Sequence, residues 1–328
     1  MTAHPLARRT LLRTAAAGAA ALPAAALPAH AAAAAPAADP APTGGTATAF
    51  TWLGNSGWRI EGSGRTVLLD PYLTRYDTGL FPATSRKPAF DPATELTVDT
   101  ALVEQHAGRP DLILVSHSHW DHVNDVPHIA RTTGATVMGT QTTCHLLAAM
   151  GVDRGRLVPV KGGEVLDFDG FTVETVGSLH SRNAKHTYFA PGTLTAPPAQ
   201  APRTITDLPE GDTLAFQIRF GDGPSAFLMG ASDFVERHVT GLRPDIAMVA
   251  VPSRTGTTHA YASRLLNALG RPRTVVPVHW DNFETPIGEP ALADSSMDLD
   301  GVVAEARRLV PGGRVIVPEH LQTLRFGG

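Results

Sequence analysis

The stretch His117-Ser118-His119-Trp120-Asp121-His122 places three imidazoles and a carboxylate within six positions. It follows residues 111–115, an apolar run that reads as a buried strand. Imidazole nitrogens and carboxylate oxygens suit zinc and related divalent ions. His117 and His119 share parity, so an extended segment points both the same way. Asp121 and His122 turn toward a neighbouring point if the chain then curls into a helix. The segment reads as a tight, exposed turn. It cannot easily complete two coordination shells alone, so distant ligands are expected. The bland alternative is a polar turn with incidental histidines, and the spacing argues against it.

Strands are expected at 48–53, 57–60 and 66–69, an opening antiparallel meander with Gly/Asn/Ser turns. After 111–115 comes a strand at 135–138, between helices at 126–131 and 142–150. A second strand series covers 156–160, 164–168 and 172–176. Further strands fall at 213–219, 225–229, 246–251, 274–278 and 314–317, with helices at 259–269 and 299–309. Residues 183–210, rich in Pro, Thr and Ala, read as a long loop, which in a compact domain is functional or disordered. The whole suits two packed sheets flanked by helices.

The chain of 328 residues can hold one large α/β domain or two small ones. Its net charge of −4 argues against a nucleic-acid partner. A single cysteine, Cys144, excludes an internal disulfide, whereas 14 histidines fit a metal enzyme with N/O ligands. Residues 1–45 differ in composition. Arg8-Arg9 precede an Ala/Gly/Leu stretch, and Ala29-His30-Ala31 offers an A-x-A cleavage site. This pattern resembles a twin-arginine signal followed by an Ala/Pro-rich linker. Secretion through the twin-arginine export machinery is therefore expected, with residues 46–328 as the functional domain.

The cluster matches the H-x-H-x-D-H motif, and residues 48–320 resemble the metallo-β-lactamase-fold hydrolases. The resemblance implies an α/β fold, a four-layer αββα sandwich of two mixed sheets flanked by helices. It also implies further ligands just after strands. His180 ends Gly177-Ser178-Leu179-His180, just after the strand at 172–176, with His186 as its rival. Asp233 follows 225–229 as a candidate bridging carboxylate, the alternative being a helix cap. His279 follows 274–278. The implied first site is His117, His119 and His180; the second is Asp121, His122 and His279, with Asp233 between. His279-Trp280-Asp281-Asn282-Phe283 is similar to the H-[WYF]-x-x-F ending of a lactonase-like and phospholipase D-like branch. Leu68-Leu69-Asp70-Pro71 resembles that family's L-I-D-P segment, with Asp70 orienting a ligand histidine. Asn55 departs from the pattern by standing where histidine is usual. Gly-Asp is usually adjacent in the family, whereas Ala231 and Ser232 intervene here.

The expected chemistry follows. Two divalent ions, zinc by preference with manganese or iron also accepted, make hydroxide available near neutral pH and hold the substrate's oxygen. Asp121 and Asp233 position that hydroxide and receive its proton. The bond is an ester, lactone or phosphodiester in a small-molecule or lipid-like substrate. The rivals are a β-lactamase opening an amide ring, a two-iron redox protein and a non-catalytic binding protein on the same scaffold. Arg182 and Lys185 lie close to His180 and could attract an anion. His259, at a helix start, could give a proton to a leaving group or be simply solvated, and is left outside the site.

Overall fold

A computed structural model of the chain describes residues 46–327. The signal and linker assigned to residues 1–45 lie outside the described residues.

The first sheet begins with β1 (Thr48–Trp52), β2 (Trp58–Gly62) and β3 (Arg65–Leu69), joined as antiparallel neighbours. It continues in parallel through β4 (Leu112–Leu114), β5 (Thr136–Gly139) and β6 (Leu157–Pro159). The second sheet holds β7 (Val165–Phe168), β8 (Phe171–Leu179), β9 (Thr213–Phe220), β10 (Ala226–Met229) and β11 (Asp233–Phe234). It also holds β12 (Ile246–Ala250), β13 (Thr274–Val278) and β14 (Arg314–Val315). Pairing is antiparallel from β11 through β8 and β9 to β10, and β7 also pairs with β8. From β10 through β12 and β13 to β14 it is parallel. The last strand, β15 (Thr323–Phe326), returns to the first sheet beside β1. Both sheets are therefore mixed. The expected series at 156–176 divides between them, since β6 ends the first sheet and β7 and β8 belong to the second.

The period-two rule explains the layering. Val67, Leu69, Leu112, Leu114 and Met138 face the second sheet's Phe216, Phe227 and Met229 in one core. Leu68, Ile113 and Val137, out of phase with them, face a second core. There the first sheet is covered by α1 (Thr100–Ala107), α3 (Val126–Thr133) and α4 (Gln141–Ala149). A strand buried on both faces must be apolar throughout, as Leu112-Ile113-Leu114 is. Between α1 and α3 lies the single turn α2 (Trp120–Val123). After α5 (Glu236–Val239), helices α6 (Tyr261–Ala268) and α7 (Leu299–Leu309) place Leu265, Leu266, Val302 and Ala306 in the first core. The layers run helix, sheet, sheet, helix. No helix among the described residues is long and apolar enough to cross a membrane.

Candidate metal centre

The site lies at the carboxyl ends of strands. β8 and β10 are both antiparallel to β9, so their carboxyl ends share one edge, with those of β12 and β13. β4 delivers Ser116 and His117. His119 keeps extended dihedrals (φ −63°, ψ 155°) as it caps α2. Asp121 and His122 then project from the first turn of that helix. β8 delivers His180, and β13 delivers His279 in the left-handed region at φ 57°.

The structure brings these residues into two groups. One ligand atom each from His117, His119 and His180 lie within 4.8 Å of one another, and so do those from Asp121, His122 and His279. The groups adjoin, with the rings of His117 and His122 only 3.9 Å apart. The expected exposed turn is instead buried: His117, His119, Asp121 and His122 are all nearly inaccessible. Nε2 of His117 and His119 are buried without a hydrogen-bond partner, and that of His122 has only the Asp121 carboxylate, 3.2 Å away. Buried polar atoms rarely stay unpaired. Two orphan imidazole nitrogens in the first group fit a divalent cation, which needs lone pairs and no protons.

The surroundings fix each ring. Asp70, itself at φ 41°, lies with Oδ2 2.9 Å from His122 Nδ1, which leaves Nε2 facing the group. Asp70 also accepts from the Ser116 N–H (2.7 Å), the Ser116 hydroxyl (2.6 Å) and the Ser56 hydroxyl (3.0 Å). Strand β10 leaves over this carboxylate at Gly230, where a Cβ would sit 2.6 Å from Asp70 Oδ2 and 2.1 Å from Ser116 Oγ. His180 Nδ1 donates to the Ser181 carbonyl at 2.8 Å, and Tyr188 stacks on its ring at 4.6 Å. The Asn55 amide donates to the Asp121 carbonyl oxygen (2.8 Å) and to Asp121 Oδ2 (3.1 Å), the place where histidine was expected.

Burial lowers the histidines of the first group. His119 is pushed down to about 4, and His117 and His180 lie well below the usual imidazole range. In the second group burial opposes the charged forms, but the partners outweigh it. His122 rises to about 10 between Asp121 and Asp70, while Asp121 is held well below the carboxylate range by His122 and His279.

Asp233 requires a correction. It starts β11, opposite Leu179, and its Oδ1 accepts from the Phe234 N–H at 2.8 Å. It joins neither ligand group and does not line the cavity over them; Gly230, Ala231 and Ser232 do. The two extra residues after Gly230 carry the chain past the cluster before the carboxylate arrives. Asp233 is not a helix cap either, since Val235 occupies that position at α5. His186 and His259 are exposed and lie outside the cavity lining. Arg182 lines the cavity and Lys185 does not.

Sequence reasoning missed Arg75. Its guanidinium is fully buried, 3.2 Å from the equally buried Asp281, and donates to the carbonyls of Leu53 and Thr285. Asp281 accepts the Asn55 N–H at 2.9 Å, and the Asn55 carbonyl accepts the His279 N–H at 2.8 Å. The ion pair thus supports a ligand histidine through Asn55. His320 joins the pair, 3.2 Å from Asp281 Oδ2. Nothing in Leu73-Thr74-Arg75-Tyr76 signals this burial.

A cavity of about 670 Å³ opens over the ligands. Segment 80–84 walls one part, and Tyr188 and Phe189 from the long loop wall another. That loop is tied down, with the Glu210 N–H donating to the Ala190 carbonyl and the Leu194 N–H to Thr142 Oγ1.

A family model described as a β-lactamase superfamily domain matches residues 49–279, which include both ligand groups. The chain belongs to this superfamily. A metal-dependent hydrolase of Agrobacterium fabrum is 28% identical over 240 residues, covering 71% of this chain and 86% of its own length. Another, from Methylobacterium nodulans, is 27% identical over 255 residues, covering 77% and 92%. This superfamily member is a metal-dependent hydrolase. Its fold is similar to that of a metallo hydrolase from Ignicoccus hospitalis (TM-score 0.57, 20% identity, 86% of this chain and 100% of that one). The same holds for a diiron β-hydroxylase from Streptomyces venezuelae (TM-score 0.55, 16% identity, 88% and 55%), so the fold alone does not dictate the reaction.

Proposed function

We propose that this hydrolase holds two divalent ions, zinc by ligand preference, and cleaves an ester, lactone or phosphodiester bond. The reading is carried by two adjoining ligand groups under one cavity, with the buried Nε2 atoms of His117 and His119 lacking any hydrogen-bond partner. His117, His119 and His180 would hold one ion, and Asp121, His122 and His279 the other. When bound, such ions acidify water and stabilise negative charge on a substrate oxygen. The protein supplies the rest. Asp121, kept ionised, orients the attacking water and takes its proton on a carboxylate oxygen. Asp70 keeps His122 Nε2 facing the group. Trp120, Phe189 and Phe283 form an apolar wall that exclude water and seats the substrate's carbon skeleton.

Elemental analysis of protein purified without added metal tests this, with an Asp121→Ala variant alongside. About two zinc ions per chain, falling in the variant and accompanied by ester or phosphodiester turnover, is the expected result. No metal after reconstitution with zinc would sink it. A chromogenic cephalosporin turned over faster than any ester would favour the β-lactamase alternative. Secretion by the twin-arginine route is supported by Arg8-Arg9 and the alanine-rich stretch after them. Replacing both arginines with lysine should retain the protein in the cytoplasm, and undiminished secretion would refute this route.

A further inference from the structure

We infer that the active cavity has a second, polar chamber that receives an anionic group of the substrate, and that Arg182 selects for it. The inference rests on the hydrolase reading above and adds a substrate class: an amphiphilic ester or lactone bearing a carboxylate or phosphate.

Three observations carry it. First, a chamber of about 330 Å³ shares Arg182, Ser232 and Ser253 with the main cavity. Ser232 accepts or gives a hydrogen bond to Ser181 at 2.8 Å, directly after the ligand His180, so the chambers meet beside the first ligand group. Second, the two chambers differ in chemistry. The main cavity has Phe81, Trp120, Phe189, Phe283 and Met297 in its wall, and its exposed Leu80 and Leu292 can hold an alkyl chain. The smaller one presents Thr258, Ser263 and charged groups.

Third, the lining is formally neutral, but three of its four charges are already paired. Four charged residues line the smaller chamber: Arg182, Arg254, Asp298 and Glu305. Arg254 is engaged with Asp298 at 3.3 Å, and Glu305 is held by both ends of the Arg308 guanidinium at 2.6 and 2.8 Å. Among the described residues, Arg182 has neither an ion-pair partner nor a side-chain hydrogen bond. In the main cavity Asp121 and Asp281 are committed to His122, His279 and Arg75, and Asp294 accepts from the Ser296 N–H (2.9 Å) and hydroxyl (2.6 Å). A guanidinium without a partner, two residues beyond a ligand, is a ready fork for carboxylate or phosphate. The other arginine in the chamber lining, Arg254, is taken up by Asp298. On hydrolysis water adds at the acyl carbon, the acyl–oxygen bond breaks and the leaving oxygen gains a proton; the anionic group is unchanged.

The test compares 4-nitrophenyl hexanoate with the mono-4-nitrophenyl ester of adipic acid on the metal-loaded full chain. The anionic ester should show the higher kcat/KM, through KM. Arg182→Ala should lower it about tenfold or more relative to the neutral ester, with Arg182→Lys between. Equal treatment of the two esters by wild type and Arg182→Ala would overturn the inference. A calorimetric titration with octanoate and octanamide judges the chamber without turnover. Octanoate should bind more tightly, and Arg182→Ala should erase most of that margin. An undiminished margin overturns the chamber even if both esters are cleaved. Failure to cleave either ester, with the margin present and Arg182-dependent, would instead count against the ester reading alone.

Discussion

Replacing Asp70 with asparagine keeps the side chain's shape and removes its charge. In the wild type its Oδ2 faces His122 Nδ1 at 2.9 Å in a fully buried site. The same oxygen accepts from two serine hydroxyls, and Oδ1 accepts the Ser116 N–H. An amide keeps the Oδ1 contact, and the serine hydroxyls can rotate to accept from the new NH₂. His122 cannot adjust this way, because its Nε2 must stay free of a proton to bind an ion. Its Nδ1–H then faces a donor. Losing one hydrogen bond to a charged group costs about 1.5–3 kcal/mol. That corresponds to about 10–100-fold in affinity, the usual cost of removing such a support. The loss should fall mainly on the second group, since Asp70 meets His122 directly but reaches the first group only through the Ser116 hydroxyl, 3.1 Å from His117 Nδ1. Competition with a chromophoric chelator, resolved into two binding steps, measures it. A second-ion affinity within twofold of wild type would refute the reasoning. Equal losses at both steps, with a lower unfolding midpoint of the metal-free protein, would make Asp70 a general structural residue instead.

Arg75→Ala leaves Asp281 buried without its counter-charge and should cost about 3–5 kcal/mol in denaturant unfolding, whereas an Arg75→Met/Asp281→Leu pair should recover much of it; a cost below about 1 kcal/mol would show the pair to be dispensable. Asp233→Asn should leave the metal content unchanged by elemental analysis, and loss of an ion would return Asp233 to the ligand set. Proton competition should separate the two ions. His119 sits at about 4 and its first-group partners are also lowered, so that group is deprotonated near neutrality and its affinity should be nearly flat from pH 6 to 8. His122 sits at about 10 without metal, so ligation must expel a proton, and the second ion's affinity should rise about tenfold per pH unit over that range. Equal slopes would remove the distinction.

The sequence showed clearly what depends on short spacing. Leu112-Ile113-Leu114 followed by the histidine cluster fixed both a buried strand and the site beyond it. Features set by remote partners were harder to read. α1 buries only Val103 and Ala107, so its apolar stripe is faint. β15 is four residues long, and only Leu324 and Phe326 turn inward. Arg75 became a buried cation through contacts with residues more than 200 positions away. Asp233 misled because counting residues from a strand end does not say how the next turn aims them. The burial of the metal cluster was hidden too, since the segments covering it come from 72–98 and 183–210.

The pairing of β1 with β15 has a consequence in time. The Thr51 and Thr323 hydroxyls that meet across it, at 2.8 Å, are 272 positions apart. At about 5–20 residues per second, a ribosome needs roughly 14–54 s to make the intervening chain. Throughout that interval the outer edge of β1 has no neighbour, and an open edge invites pairing with another chain. His320, just ahead of β15, cannot yet brace Asp281. The nascent protein therefore passes through a long stage with an unguarded strand and a metal site lacking one of its supports. Its yield in a cell should depend on what shelters that edge during synthesis.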